Sequence, residues 1–527
     1  MNPLKILFHI QENILVDYNM SAADFAVFIL NIQLSLFDKK IQEGAIEYKT
    51  IVSERVHYQA SQEQIDILHS VVIFDHEYRS CFCSDFISHK EMLEYFDGSD
   101  FSEEMKVRFA DLHRRKLKDF KPDIIISIGL YNELYNYTFP DAPHIAWQWG
   151  SLKRDTSPVT HAFDPLGYIK DSYFNHFKDQ INSIILTEEQ HRVINQFKED
   201  YKALIRRKRP AELTDIINEY KKSFDYLLLL PTAIDKANYF ALESDFKHQW
   251  DVVTHVLDHT PENIGVIVTE HTAQYFIDIN NAGYTTGMLK WLQNKYKNFI
   301  YIPELKHYHA TSFWILPEVD GVVSVGTTVP LTSTMFDAKI ISLSRRCQDA
   351  YKDAQGIEHI LDVLKMPAKN KNSFIYWMLT HYNYFDKQIH DSDFMYNQLK
   401  RWIKKYIQEG VKFNWLQKIN DEKEICAYIL QDAEERLSNI KEKPLSNQEV
   451  IAYERGRYKE HYEDMLAQRD RLQVERETLA YERGRYKEHY EDMLAQRDRL
   501  QSQLNELSER RKGAFPDIPL LRNIWKR

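Results

Sequence analysis

Five polar stretches carry side chains able to do chemistry, and four of them stand at the ends of apolar runs. In LLLLPTAIDKANYF (227–240) four leucines run into Pro231-Thr232, and Asp235 follows with Lys236 and Asn238. A carboxylate just past a buried strand suits a nucleophile in a cleft. It equally suits the N-cap of the next helix, because ANYFALESDF has helical spacing and Asp is a favoured cap. In NIGVIVTEH (263–271) Glu270 and His271 close a second apolar run. Histidine there can bind phosphate or relay a proton, and the glutamate can fix its tautomer or hold a hydroxyl. A solvated loop pair is the plainer use of the same residues. GVVSVGTTVPLTSTMFDAKIISLS (321–344) sets Ser324, Gly326, Thr327 and Thr328 between a strand and a helix, which is either a phosphate cradle or a routine capped turn.

IPELKHYHATSF (302–313) offers Glu304, Lys306, His307 and His309. A His-x-His pair can ligate metal, but no third ligand has the spacing, so no metal is expected. Lys306 and the histidines can hold an anionic sugar or face solvent. WQWGSLKRDTSPVTHAFDP (147–165) carries Lys153, Arg154, Asp155, His161 and Asp164 on a stretch that reads as a loop, suited to an acceptor site or to plain surface.

The elements that must position these residues alternate. LKILFHI (4–10), VVIFDH (71–76), DIIISIG (123–129) and HIAWQWG (144–150) read as strands buried on both faces. Between them SAADFAVFILNIQLSLFDKK (21–40) and SEEMKVRFADLHRRKLKDF (102–120) show helical spacing, the second acidic at its start and basic at its end. Alternation of this kind predicts a parallel sheet covered by helices on both faces. Residues 191–222 are charged and helical with Pro210 as a break, and then the rhythm restarts. YLLLLP (226–231), NIGVIVTEH, NFIYIPE (298–304), GVVSVG (321–326) and KIISLS (339–344) form a second set of strands. The fold class expected is therefore α/β, with two Rossmann-like units, 1–190 and 223–345, joined by a helical connection at 191–222. Residues 346–445, rich in Trp and Tyr, read as a helical segment closing this core. Two such units in series make the GT-B architecture of many nucleotide-sugar glycosyltransferases. Ligands of open parallel sheets collect at the carboxyl ends of the strands, which makes the interdomain cleft the expected site.

The 527-residue length suits several domains. A net charge of −10 argues against nucleic acid as a partner. With only 15 glycines, a glycine-rich dinucleotide loop is not the expected device. The four cysteines (Cys81, Cys83, Cys347 and Cys426) lack zinc-knuckle spacing and read as free thiols of a reducing compartment. His9, Gln11, Glu12 and Asn13 interrupt the only leader-like stretch, and no run of about 18 apolar residues occurs. A cytoplasmic protein is expected, with peripheral contact at the inner membrane compatible.

AYERGRYKEHYEDMLAQRDRLQ occurs at 452–473 and again, letter for letter, at 480–501. The 28-residue offset equals four heptads, so both copies keep one coiled-coil register. One seam position is apolar at nine successive heptads: Ile451, Tyr458, Met465, Leu472, Leu479, Tyr486, Met493, Leu500 and Leu507. Residues 446–512 are thus expected to self-associate as a rod of about 100 Å. The tail at 513–527, GAFPDIPLLRNIWKR, is basic and apolar and fits a membrane surface, a partner groove or a cap on the rod.

LLLLPTAID, VIVTEH and VVSVGTTVPLTSTMFDAKIIS, with the strand-helix unit before them, resemble the retaining β-Kdo transferases of bacterial capsule and O-antigen assembly over about residues 1–420. These are GT-B enzymes that use CMP-β-Kdo, and members that terminate O-antigen chains can carry a C-terminal coiled-coil spacer. The resemblance implies that Asp235 is the nucleophile of a double displacement and that His271 assists at the phosphate or the anomeric centre. It implies that Ser324, Thr327 and Thr328 hold the CMP phosphate or the Kdo carboxylate, with Lys236 or Lys306 as a cationic helper. Glu270 and Asp155 are candidates for the acid/base, and Asp155, Arg154 and His161 for the acceptor side. No cofactor is implied beyond the CMP-Kdo substrate, and the acceptor would be a lipid-linked polysaccharide. The chain departs from many relatives at FDAK (336–339), where they have a GKP-type turn. Two other readings stay compatible: a GT-B transferase with another nucleotide sugar, and a non-catalytic head on a coiled-coil tether.

Overall fold

The computed structural model describes residues 3–10, 22–82, 101–127, 132–150, 160–167, 171–232, 244–246, 249–269, 286–302, 304–305, 311–439, 497–503 and 505–506. The chain divides into two compact units, Met1–Lys443 and Pro444–Arg527.

The first unit is built on two sheets. β1 (Leu4–His9), β2 (Ile46–Ser53), β3 (Ser70–Ile73), β4 (Ile124–Ser127), β5 (His144–Trp149) and β6 (Thr160–Asp164) belong to the first. β7 (Tyr226–Pro231), β8 (Ile264–Thr269), β9 (Phe299–Ile300), β10 (Gly321–Ser324), β11 (Lys339–Ser342) and β12 (Ala354–Gln355) make the second. β13 (Asn383–Phe385) returns to the first sheet, beyond β6. The strand orders are 13-6-5-4-1-2-3 and 12-11-10-7-8-9, so each sheet repeats the 3-2-1-4-5-6 order of a doubly wound nucleotide-binding fold. Pairing is parallel except for β5–β6 and β6–β13.

Side-chain alternation explains why these runs become strands covered on both faces. Leu7, Ile51, Ile73 and Ile125 bury one face of the first sheet, and Ile6, Phe8, Ile124 and Ile126 the other. In the second sheet Leu227, Leu229, Ile267 and Val322 oppose Leu228, Leu230, Val266 and Val323. Each such side chain contributes roughly 1.5–3 kcal/mol when fully buried. The helix Glu103–Leu117 covers the first sheet with its signals in place. Ser102 caps it by accepting the Met105 N–H at 3.2 Å, acids fill its first turn and bases its last.

The two sheets also share a clamp at their amino ends. Asp123, just before β4, takes the Lys5 N–H of β1 at 2.8 Å, and Asp320, just before β10, takes the Leu227 N–H of β7 at 2.8 Å. The sequences are DIIIS and DGVVS. In both, the aspartate pins the central strand pair and a buried serine ends it.

Helices Glu188–Lys208 and Ala211–Ser223 form the connection, broken at Pro210 as expected. Glu318 fastens this connection to the second sheet's unit through Arg206, Arg209 and Lys221, each at 2.8 Å. Burial alone would raise its carboxyl, but the three cations outweigh it and hold it at about 2. After β6 the chain is tied to the segment that follows β11. The Asn175 side chain donates to the Cys347 carbonyl at 2.8 Å and accepts from the Ala350 N–H at 3.1 Å, and Lys178 pairs with Asp349 at 3.0 Å. Two doubly wound units with a helical connection and a returning C-terminal segment make the GT-B architecture.

Three expectations need correction. Residues 147–165 are not simply a loop, because His161 and Asp164 lie on β6, antiparallel to β5. Gly150 permits that approach: a Cβ there would stand 1.9 Å from Thr160 Oγ1. Residues 346–445 are not wholly helical either. FIYWMLTHYNYF passes from the helix Asn372–Trp377 through a π-turn (Met378–Tyr382) into β13, a strand too short to show a period of two. β12 also falls in this segment, and β2, whose alternation IEYKTIVS is strand-like, was not among the expected strands.

In the second unit, residues 497–503 and 505–506 are helical. The rest of the expected coiled coil, and the tail, lie outside the described residues. Among the described residues, no helix is long and apolar enough to cross a membrane.

Candidate active site

Three of the sequence-derived stretches leave neighbouring strands of the second sheet. Along the order 8-7-10, β7 leads to Asp235 and Lys236, β8 to Glu270 and His271, and β10 ends on Ser324. Pro231 pairs with Thr269 at the carboxyl ends of β7 and β8. Thr232 donates its N–H at 2.9 Å and its hydroxyl at 3.1 Å to the Thr269 carbonyl, and Thr269 Oγ1 meets Ser312 Oγ at 2.7 Å. The edge is therefore held rigidly up to Thr232. Asp235, Lys236, Glu270, His271, Lys306, Arg154 and Asp155 themselves lie outside the described residues, as do Lys153, His307 and His309.

Ser324 is fully buried beside Ser342 of β11. Its Oγ accepts the Thr327 N–H at 3.3 Å, and Thr327 Oγ1 accepts the Val329 N–H at 3.3 Å. These bonds fold the polar turn onto the short helix Val329–Ser333. Each hydroxyl, having only accepted, keeps its own proton to donate. Thr327 is half-buried and Thr328 exposed, so the turn presents hydroxyls of graded access.

Of the residues expected on an acceptor side, His161 is buried in β6, where its Nδ1 accepts the Trp147 indole N–H at 3.0 Å. Asp164 is fully buried and accepts from the N–H groups of Leu166 (2.9 Å), Gly167 (3.1 Å) and Tyr173 (2.8 Å) and from Tyr382 Oη (2.9 Å). With four donors it serves as an internal tie between β6 and the returning segment. The three described cysteines, Cys81, Cys347 and Cys426, are free and buried, and burial raises the thiols of Cys81 and Cys426 to about 11 and about 12. Among the described residues no cluster of His, Cys, Asp and Glu could hold a metal ion. Missing from the sequence-derived candidates were His9 and Ser127, at the carboxyl ends of β1 and β4. The recurrence of DIIIS as DGVVS was the available signal.

No family model matches the chain, and no curated protein matches it. Solved structures similar to it include KpsC of Thermosulfurimonas dismutans, a β-Kdo 2,7-transferase (15% identity, 57% of this chain and 90% of that one, TM-score 0.34). Another is the lipopolysaccharide outer-core galactosyltransferase WaaB (9% identity, 75% and 99%, TM-score 0.31). A third is the UDP-GlcNAc 2-epimerase of Neisseria meningitidis (11% identity, 76% and 100%, TM-score 0.29). TM-scores under 0.5 at such identities assign no activity, and the architecture stands on strand order and register.

Proposed function

We propose that the chain is a glycosyltransferase of bacterial surface-polysaccharide synthesis, moving Kdo from CMP-β-Kdo to the non-reducing end of an O-antigen chain with retention. The observation that supports this reading is the adjacency of β8, β7 and β10, the strands that three chemistry-bearing stretches follow in the sequence. The motif resemblance supplies the donor.

Retention needs two inversions. The Asp235 carboxylate attacks the anomeric carbon, the bond to the CMP phosphate oxygen breaks, and CMP leaves with the electron pair. An acceptor hydroxyl then attacks the glycosyl ester, yields its proton to a base, and frees the Asp235 carboxylate. Glu270 and Asp155 are the candidate bases, and His271 assists at the phosphate or the anomeric centre. Ser324, Thr327 and Thr328 hold the phosphate or the Kdo carboxylate, with Lys236 or Lys306 as counter-cation. The heptad region makes an oligomer and spaces the catalytic unit from its partners or the membrane.

Asp235→Asn is expected to lower transfer from CMP-Kdo by about 10⁴-fold or more while leaving the melting temperature nearly unchanged. Near-normal turnover would remove the nucleophile role. Thermal shift across CMP-Kdo, UDP-sugars and GDP-sugars reads the donor, since the nucleotide sugar that binds should raise Tm most.

A further inference from the structure

Away from the carboxyl edges, two helices that flank the first sheet enclose a cavity of about 680 Å³. One is Asp75–Phe82, which follows β3, and the other is Glu103–Leu117, which leads into β4. The described lining is Ser80 and Cys81 from the first, with Arg108, Asp111, Arg114 and Arg115 from the second. Arg114 and Arg115 lie in the last turn of the longer helix, close before Asp123 and the amino end of β4. The cavity therefore belongs to the amino end of the sheet, opposite the edge where open parallel sheets gather their ligands.

Its wall is cationic in a chain of net charge −10. Arg108 is already engaged, donating to the Ser80 carbonyl at 3.2 Å and to Glu104. Arg114 donates to the Thr138 carbonyl at 2.9 Å, and Arg115 Nε to the Asp111 carbonyl at 3.4 Å. Both therefore meet main-chain oxygens, and neither has an ion pair among the described residues. Glu77, one turn from Ser80, is neutralised by Lys116 at 2.6 Å. Asp111 is the one acid on the wall. Cys81 is 3% exposed, and burial raises its thiol to about 11, so it adds no negative charge at neutral pH.

The chemistry of this wall selects its ligand. Arg108, Asp111 and Arg115 share one helix face at spacings of three and four, so the two guanidinium groups flank a single acid. Guanidinium forks match the oxygens of phosphate, with two parallel N–H donors to each group. The described lining holds no aromatic ring on which a base could stack, so a nucleotide is a poor fit. What fits is a phosphate group carried on a small polar body such as glycerol. Exposed Lys118 and Lys121 follow the helix and draw anions toward the same end of the sheet.

We propose that this cavity is a phosphate-binding site remote from the transfer edge, with Arg114 and Arg115 supplying the donors. It does not depend on the transferase reading. The phosphate belongs either to the headgroup of an anionic phospholipid or to a soluble phosphate ester. Calorimetric titration of the full chain with glycerol phosphate, and co-sedimentation with vesicles of phosphatidylglycerol or of phosphatidylcholine, separate these sources. Arg115→Gln should weaken binding about tenfold or more at an unchanged Tm. The carbonyl that Arg115 touches already accepts a helix bond, so its loss strands no buried group. Arg115→Lys should restore binding only in part, because an ammonium cannot donate as a fork. Lys121→Gln removes the same charge outside the cavity and should change glycerol phosphate affinity by less than about twofold. Sedimentation with phosphatidylglycerol alone, lost in Arg115→Gln, supports the site and assigns the lipid source. Binding of glycerol phosphate without sedimentation supports the site and assigns the soluble source. Binding of neither probe, binding that Arg115→Gln leaves intact, or equal weakening by Lys121→Gln overturns the proposal.

Discussion

The carboxyl edges of the two sheets differ although the sheets are built alike. Both have the order 3-2-1-4-5-6, both pin the central strand pair with an aspartate, and both end that pair on a buried serine. In the second sheet the serine opens onto hydroxyls and main-chain N–H groups, the chemistry that suits an anionic donor. In the first it is backed by neutral imidazoles and a phenol, closed into the core. One strand order thus carries two different polar edges, because the last residue of each strand and the side chains behind it are free to differ while the buried runs before them are not.

Acidification should separate the two edges most strongly. His9, His113 and His144 are held neutral when folded but bind protons when unfolded below about pH 6.5. Their contribution is present above that pH and is lost as pH falls toward 4. Glu318, held at about 2, keeps its contribution above the ordinary carboxylate range and loses it only as pH falls below about 4.5. Hydrogen exchange at pH 5 should therefore show β1 and β4 opening before β7 and β10. Simultaneous opening would break the contrast.

Glycine substitutions sharpen it next. Gly150→Ala sets a Cβ 2.5 Å from Thr160 Cβ, which sits on a paired strand, and should cost about 3 kcal/mol in urea unfolding. Gly321→Ala meets the flexible end of Leu228 at 2.9 Å and should cost about 1 kcal/mol. Equal costs would show that the β5–β6 edge yields as readily as the sheet centre.

Ser324→Ala should raise donor KM about tenfold, the loss of one hydrogen bond of about 1.4 kcal/mol, and leave acceptor KM alone. A change in acceptor KM instead would remove Ser324 from the donor side. The smallest effect belongs to the rod. Deleting 28 residues, one full repeat, keeps the heptad register and should leave kcat unchanged while shifting the length distribution of the polysaccharide. An unaltered distribution would end the spacer role.

Long apolar runs made much of this legible. LKILFHI, YLLLLP and NIGVIVTEH became central strands because burial on both faces keeps polar residues to their ends. The Pro210 break, the Ser102 cap and the helix charges were equally readable, since each acts within a few residues of chain. THAFD and NYF were not, because strands of five and three residues at an antiparallel edge owe their form to Gly150 and to partners far along the chain. The donor-side candidates stand where apolar runs stop. His9 and Ser127 also end apolar runs, but their partners Tyr135 and His144 arrive only through the fold, so their hydrogen bonds are not legible in sequence.

The most direct test of the nucleophile is mass spectrometry of the full chain incubated with CMP-Kdo and then digested. The double displacement requires a Kdo adduct on the peptide containing Asp235, formed without acceptor and discharged when acceptor is added. Turnover of the donor with no adduct at any stage, or an adduct confined to another carboxylate, would contradict it.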